Sequence, residues 1–134
     1  MPHRPNGATG HLVRGPSGTI WVAGDTELFP GIEQLPELAG GPIDLAVLPV
    51  GGWGPRLSPG HMGPEQAAVA CRLSDARCAI PVHWKTLHLP GAQSWPRGWM
   101  DSGGPEFVTA LTRVASTARA VLLDIGESAR ISTA

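Results

Sequence analysis

The sequence predicts an α/β layered domain, and three observations carry that prediction. Short apolar, β-branched runs alternate with helix-compatible stretches along all 134 residues. Three of the strand-like runs end on glycine or histidine, so each opens abruptly into a loop. Between them those three ends carry an Asp, a Gly-rich loop and a His, placed to share one sheet edge, where ligands bind in open α/β sheets.

Taken in order, a short strand is expected at 12–14 and a second at 19–23, within GTIWVAGDT, which ends on Gly24 and delivers Asp25. A short helix at about 29–38 is closed by Gly40-Gly41. The strand at 43–50 runs into a Gly/Pro-rich loop, GGWGPRLSPGHMGP, at 51–64. Pro64 and Glu65 open a helix at 65–73, where a missing N–H costs nothing and a carboxylate suits the dipole; Ala67, Ala68 and Cys71 supply its apolar face. The strand at 77–82 runs directly into His83. A long loop at 84–103 carries Trp84, Trp95 and Trp99, which either pack it onto the core or wall a substrate pocket. Pro105 is expected to open a helix at 106–115, with Phe107, Leu111 and Val114 on one face, and a strand at 119–125 completes the set. No internal repeat is present.

Composition bounds the function. Apolar residues make up 42% of the chain, enough for a core, and the length suits one domain. The 18 glycines and 14 prolines punctuate apolar runs instead of repeating, so they mark turns. Ten basic against eleven acidic residues, with no basic block, argue against a nucleic-acid partner. No apolar run reaches the length of a transmembrane segment and MPHRPNGATG lacks a signal-peptide core, so a cytoplasmic protein is the expectation. Cys71 and Cys78 read as small buried thiols, not a zinc pair.

Several side chains could carry chemistry. Asp25 is either a metal ligand or the cap of the following turn, with Thr26 placed to orient it. Asp44, flanked by Ile43 and Leu45, reads as structural. His83, at a buried strand's end, is either a satisfied core imidazole or a ligand. His61 could be a solvated loop residue, a helix-cap contact or a pocket acid/base. His3, His11 and His88 are weaker candidates. A carboxylate with imidazoles is a donor set suited to a divalent metal. No GxGxxG, P-loop, HExxH or GxSxG motif occurs, and Ser58, Ser74 and Ser94 have no suggestive partners in sequence.

Taken together, GDT at 24–26, DLAVLPVGGWG at 44–54, GHMGPEQAA at 60–68 and PVHW at 81–84 resemble the C-terminal half of a metallo-β-lactamase-fold hydrolase. The branch is similar to ascorbate-phosphate lactonase-like enzymes and N-acyl-phosphatidylethanolamine phospholipase D, and the similarity runs from about residue 3 to 127. The resemblance implies one half of an αββα sandwich, a mostly mixed sheet with helices on its outer face. It implies that Asp25 bridges metal ions, that His83 and His3 bind the second metal, and that His61 lines the pocket as a catalytic group. Trp53 and Trp84 are the expected substrate-pocket residues.

The family's HxHxDH motif, which holds the first metal, is absent from these 134 residues. At most one divalent ion is therefore expected in this chain alone, zinc first, with manganese or iron as alternatives. The resemblance implies hydrolysis of a phosphodiester, lactone or related small-molecule ester by a metal-bound hydroxide, with little turnover from the isolated chain. A bare inner sheet face would be a large apolar patch, so a homo-oligomer or a complementing N-terminal half is expected to cover it. The competing expectations are a non-catalytic remnant acting as a dimer or partner-binding module, and a truncated product with no function.

Overall fold

The computed structural model describes residues 8–115 and 117–133. Five strands form one sheet in sequence order: β1 (His11–Gly15), β2 (Gly18–Val22), β3 (Leu45–Pro49), β4 (Cys78–Val82) and β5 (Arg119–Ala120). β1 runs antiparallel to β2, and all later pairs are parallel. The parallel pairs need crossovers, which a 3₁₀ segment (Pro30–Gln34), α1 (Leu35–Ala39), α2 (Pro64–Leu73) and α3 (Trp99–Val114) supply. The expected mixed sheet with helices on one face is thus present. No helix among the described residues is long and apolar enough to cross a membrane.

The core lies between the sheet and the helices. Trp21, Ala46 and Ala79 share one row of the sheet and are buried on the helical side. Buried Ala67, Ala68, Ala70 and Cys71 of α2, with Phe107, Ala110 and Leu111 of α3, complete it. The small residues of α2 let α3 approach closely. At the base of the sheet the Asp44 carboxylate accepts from the Thr19 N–H (2.8 Å) and from Arg77 (3.2 Å), tying the start of β2 to the segments that lead into β3 and β4. That is the structural role expected of Asp44. Cys71 and Cys78 are buried free thiols, as expected.

The opposite face of the sheet is apolar and uncovered by helices. Val13, Ile20 and Leu45 occupy one row and Val22, Val47 and Ile80 another. Val13 is 55% exposed and Ile20 and Val82 are each 37% exposed. The period-2 alternation of β2 thus separates Trp21, in the core, from Ile20 and Val22 on the open side.

Three elements differ from the sequence reading. The helix expected at 29–38 is broken into a 3₁₀ segment and α1, each with a proline (Pro30, Pro36) in its first positions. Pro105 does not open the last helix; it lies inside α3, which begins six residues before it at Trp99. Trp84 packs directly on this added stretch, where only glycine fits: a side chain on Gly104 would meet the Trp84 ring at 2.4 Å, and one on Gly103 would meet Trp84 Cβ at 3.2 Å. The loop after β4 is correspondingly shorter. The last strand stops at Ala120, with one more bond from the Val121 N–H to the Ala79 carbonyl (2.9 Å). Pro81 of β4 has no N–H to extend that ladder, and its carbonyl instead accepts from Trp84 Nε1 (3.2 Å).

Candidate metal centre and adjoining cavity

Because β2, β3 and β4 are parallel, their carboxyl ends lie along one edge. Asp25 follows β2, His61 lies in the loop after β3, and His83 follows β4. Two tight approaches shape this edge. Gly24 adopts φ +70°, and any side chain there would strike the Thr9 carbonyl at 2.7 Å. Gly51 lies so close to the His83 carbonyl that a Cβ would sit 2.7 Å from it. His83 itself has φ +62°, an uncommon conformation for a residue with a side chain.

The structure brings Asp25, His61 and His83 together, with one potential ligand atom from each within 4.8 Å of the others. The His61 and His83 ring centroids are 5.5 Å apart. His83 Nε2 lies 3.7 Å from Asp25 Oδ1; the His83 side chain is 10% exposed and that of Asp25 64%. His83 Nε2 is fully buried and has no hydrogen-bond partner among the described residues. Leaving such a group unpaired costs about 1–3 kcal/mol. A cation would satisfy it, and one carboxylate with two imidazoles is a donor set for zinc, manganese or iron. The residues present therefore fit a divalent metal.

His61 is braced from behind. Its Nδ1 lies 3.1 Å from Ser58 Oγ and 3.3 Å from the Pro59 carbonyl. A proton on Nδ1 given to Pro59 leaves Nε2 with a free lone pair, the arrangement that orients metal-binding histidines. Ser58, without an evident partner in sequence, is thus a neighbour of the site; its spacing of three residues from His61 was the available signal. The same loop is tied to the segment after Asp25 by the Gly60 N–H donating to the Glu27 carboxylate. Thr26, expected to orient Asp25, instead donates to the Glu27 carbonyl (3.0 Å).

Among the other candidates, His3 lies outside the described residues. His11 is exposed on β1, and His88 Nδ1 lies 3.0 Å from the Leu89 carbonyl, away from the cluster. A cavity of about 430 Å³ adjoins His83, lined by Trp84, Lys85, Arg97, Trp99 and Glu106 among others. Trp84 is one of its lining residues. Trp53 is not among them: it is 49% exposed, and Trp99 occupies the wall instead. Trp99 is one of the three tryptophans of the 84–103 segment for which a pocket wall is the alternative to packing on the core.

A family model described as a beta-lactamase superfamily domain matches residues 2–84. A UPF0173 metal-dependent hydrolase from Pyrococcus furiosus is 38% identical over 123 residues, which are 90% of this chain and 45% of that protein. One from Pyrobaculum aerophilum is 41% identical over 81 residues, 60% of this chain and 32% of that protein. The chain spans less than half the length of these curated relatives. In solved structures, a metallo hydrolase from Ignicoccus hospitalis superposes with a TM-score of 0.64 at 24% identity, covering 88% of this chain and 43% of that one. The metallo-beta-lactamase fold protein YhfI from Bacillus subtilis gives a TM-score of 0.57 at 14% identity, covering 85% and 39%. At those identities the likeness speaks to the fold, and the family match supplies the rest: the chain belongs to the beta-lactamase superfamily, in the metallo-β-lactamase fold.

Proposed function

We propose that this chain carries a metal-binding edge and the substrate cavity of a metal-dependent hydrolase acting on a phosphodiester, lactone or related ester. The observation that carries the reading is the buried, unpartnered His83 Nε2 beside Asp25 and His61. Asp25 and His83 hold the ion, and His61 either donates to it or moves a proton at its Nε2. When bound, a divalent cation supplies Lewis-acid polarisation of the ester or phosphoryl oxygen and lowers the pKa of a water. The remaining work falls to the chain: Ser58 and Pro59 hold the His61 ring, and Trp84 and Trp99 shield one side of the cavity from water. The activity of relatives described as metal-dependent hydrolases supports the same reaction class.

The open sheet face supports a companion proposal. Chain equivalent to the part of the relatives that this sequence does not match packs on Val13, Ile20, Val47 and Ile80, and the isolated 134 residues turn over little substrate without it. Titration of the chain with Zn²⁺, Mn²⁺ and Fe²⁺ by calorimetry, alongside hydrolysis of bis(4-nitrophenyl) phosphate and a simple lactone, tests the reading. Saturable binding lost in Asp25→Ala and His83→Ala supports it; binding unchanged in both variants refutes it.

A second reading, a non-catalytic binding module, is favoured by the same uncovered face. It predicts that Asp25→Ala and His83→Ala leave partner binding and self-association unchanged, and loss of either in those variants counts against it.

A further inference from the structure

We infer that the loops framing the cavity mouth, residues 51–64 and 84–98, form a surface that docks this chain on an anionic lipid membrane. The metal plays no part in that contact: the side chains that make it are other than Asp25, His61 and His83.

Three observations carry it. The first is apolar surface held outward. Trp53, Leu57, Leu87, Leu89 and Trp95 are all exposed, Trp95 to 79%. Leu57 and Leu87 line the same cavity, and the Leu89 N–H donates to the Trp53 carbonyl (2.9 Å), so the two loops share one rim. Bracing keeps these side chains out: the Ala92 N–H donates to the Leu89 carbonyl (2.9 Å), and Trp99 Nε1 donates to the Ala92 carbonyl (2.8 Å). Single exposed apolar residues are ordinary on a protein surface, whereas a group of them on one rim marks an interaction site.

The second is charge. The two loops carry Arg56, Lys85 and Arg97, and all eleven acidic residues of the chain lie outside them. Lys85 is partly neutralised by Asp124, 3.3 Å away. Arg56 and Arg97 are exposed and make no ion pair among the described residues. A chain of net charge −1 thus sets its positive charge where its tryptophans are exposed.

The third is position. Trp99, Met100 and Glu106 of α3 line the same cavity, so the rim is built against the helical layer. Val13 and Ile20 mark the opposite, uncovered face of the sheet. A segment packed on that face does not account for the exposed rim.

Tryptophan and leucine beside arginine suit a lipid interface, where indoles sit at headgroup level and basic side chains meet anionic headgroups. Buried apolar area and electrostatic attraction then act together. A second copy of the chain fits poorly, because a two-fold contact through this rim would set like charges against each other.

Sedimentation of the full 134-residue chain with vesicles tests this, in EDTA so that no metal bridges protein to lipid. Vesicles of phosphatidylcholine and phosphatidylglycerol in equal parts should carry the chain down, and phosphatidylcholine alone should carry little. Arg56→Gln and Arg97→Gln should each weaken binding about fivefold. Rising ionic strength should weaken the wild type more than the double variant. Trp95→Ala should weaken binding about tenfold, while Val13→Ser should leave it unchanged. Acyl-brominated lipid should quench tryptophan emission in the wild type, and less in Trp53→Ala/Trp95→Ala. These side chains are exposed, so the variants should keep the wild-type thermal midpoint.

No binding to anionic vesicles, or equal binding to neutral ones, overturns the membrane contact. So does binding lost in Val13→Ser and retained in Trp95→Ala, which would place the lipid on the open sheet face. Binding that needs the arginines but brings no quenching also overturns it, and leaves an acidic protein surface as the partner.

Discussion

His83 Nε2 stands 3.7 Å from Asp25 Oδ1, its one charged partner within 4.0 Å among the described residues, yet too far for a hydrogen bond. The separation is close to that of two donors sharing one tetrahedral zinc, roughly 3.4 Å for bonds of about 2.0–2.1 Å. An imidazole nitrogen buried without a partner at such a distance from a carboxylate is an arrangement that a shared cation completes.

The first prediction concerns that pair. Millimolar Zn²⁺ should raise the thermal midpoint of the wild-type chain, because a ligand that binds only the folded state stabilises it in proportion to its saturation. In His83→Ala and Asp25→Ala the shift should vanish. An equal rise in all three proteins would place the ion elsewhere.

Ser58 and His61 give a second prediction. If His61 is a metal donor, Ser58→Ala should reduce metal affinity by roughly 10-fold or more through loss of ring orientation, and His61→Ala should reduce it further. If His61 instead handles a proton, both variants should keep the affinity and lose turnover in a preparation that hydrolyses ester. Calorimetry with the same ion, beside an activity assay, separates the two.

The site was more legible than the elements around it. Glycine followed by Asp25, and Val82 followed by His83, mark strand ends that parallel pairing must bring to one edge, so their meeting could be anticipated from alternation alone. Ser58 was missed because its role depends on a loop that folds back on itself, and loop geometry leaves little trace in periodicity. The start of α3 was missed for a different reason. Residues 99–104 contain Gly103 and Gly104 and precede Pro105, all poor helix formers, and the two glycines are needed there because Trp84, from the loop after β4, packs against them. A contact from distant sequence explains the glycines there, whereas β5 ends because Pro81 of the neighbouring strand has no N–H to donate.

Gly104 supplies the third prediction. A Cβ there would lie 2.4 Å from the Trp84 ring and 2.6 Å from Leu122 Cδ1. Gly104→Ala should therefore destabilise the fold by about 1–3 kcal/mol through overpacking, and should disturb Trp84 fluorescence because the indole must move. Gly54→Ala, whose Cβ would meet nothing within 4 Å, should be close to neutral. Urea melts of the two variants make the comparison, and equal midpoints would mean that Trp84 is free to give way.

The last prediction concerns alkaline stability. Burial pushes the Cys71 thiol from 9.0 up to about 12, with smaller contributions from Cys78 and Asp75. In the unfolded chain the same thiol ionises near its ordinary value. Below pH 9 both states hold the proton, and the contribution of Cys71 to stability does not change with pH. Between pH 9 and 12 the unfolded state releases the proton and the folded state keeps it, so stability falls as pH rises, by up to about 1.4 kcal/mol per pH unit for one proton. The chain has no tyrosine and a single lysine, and measuring in a Cys78→Ala background leaves Cys71 as the one thiol to follow in that window. Urea midpoints measured from pH 8 to 11 should therefore decline in that background and flatten when Cys71→Ala is added, after allowing for the small cavity that variant opens. The native thiol should also resist a disulfide reagent at pH 8 until denaturant is added. Rapid modification of Cys71 in the folded protein, or an unchanged slope in Cys71→Ala, would show that the helix α2 face exposes this thiol in solution.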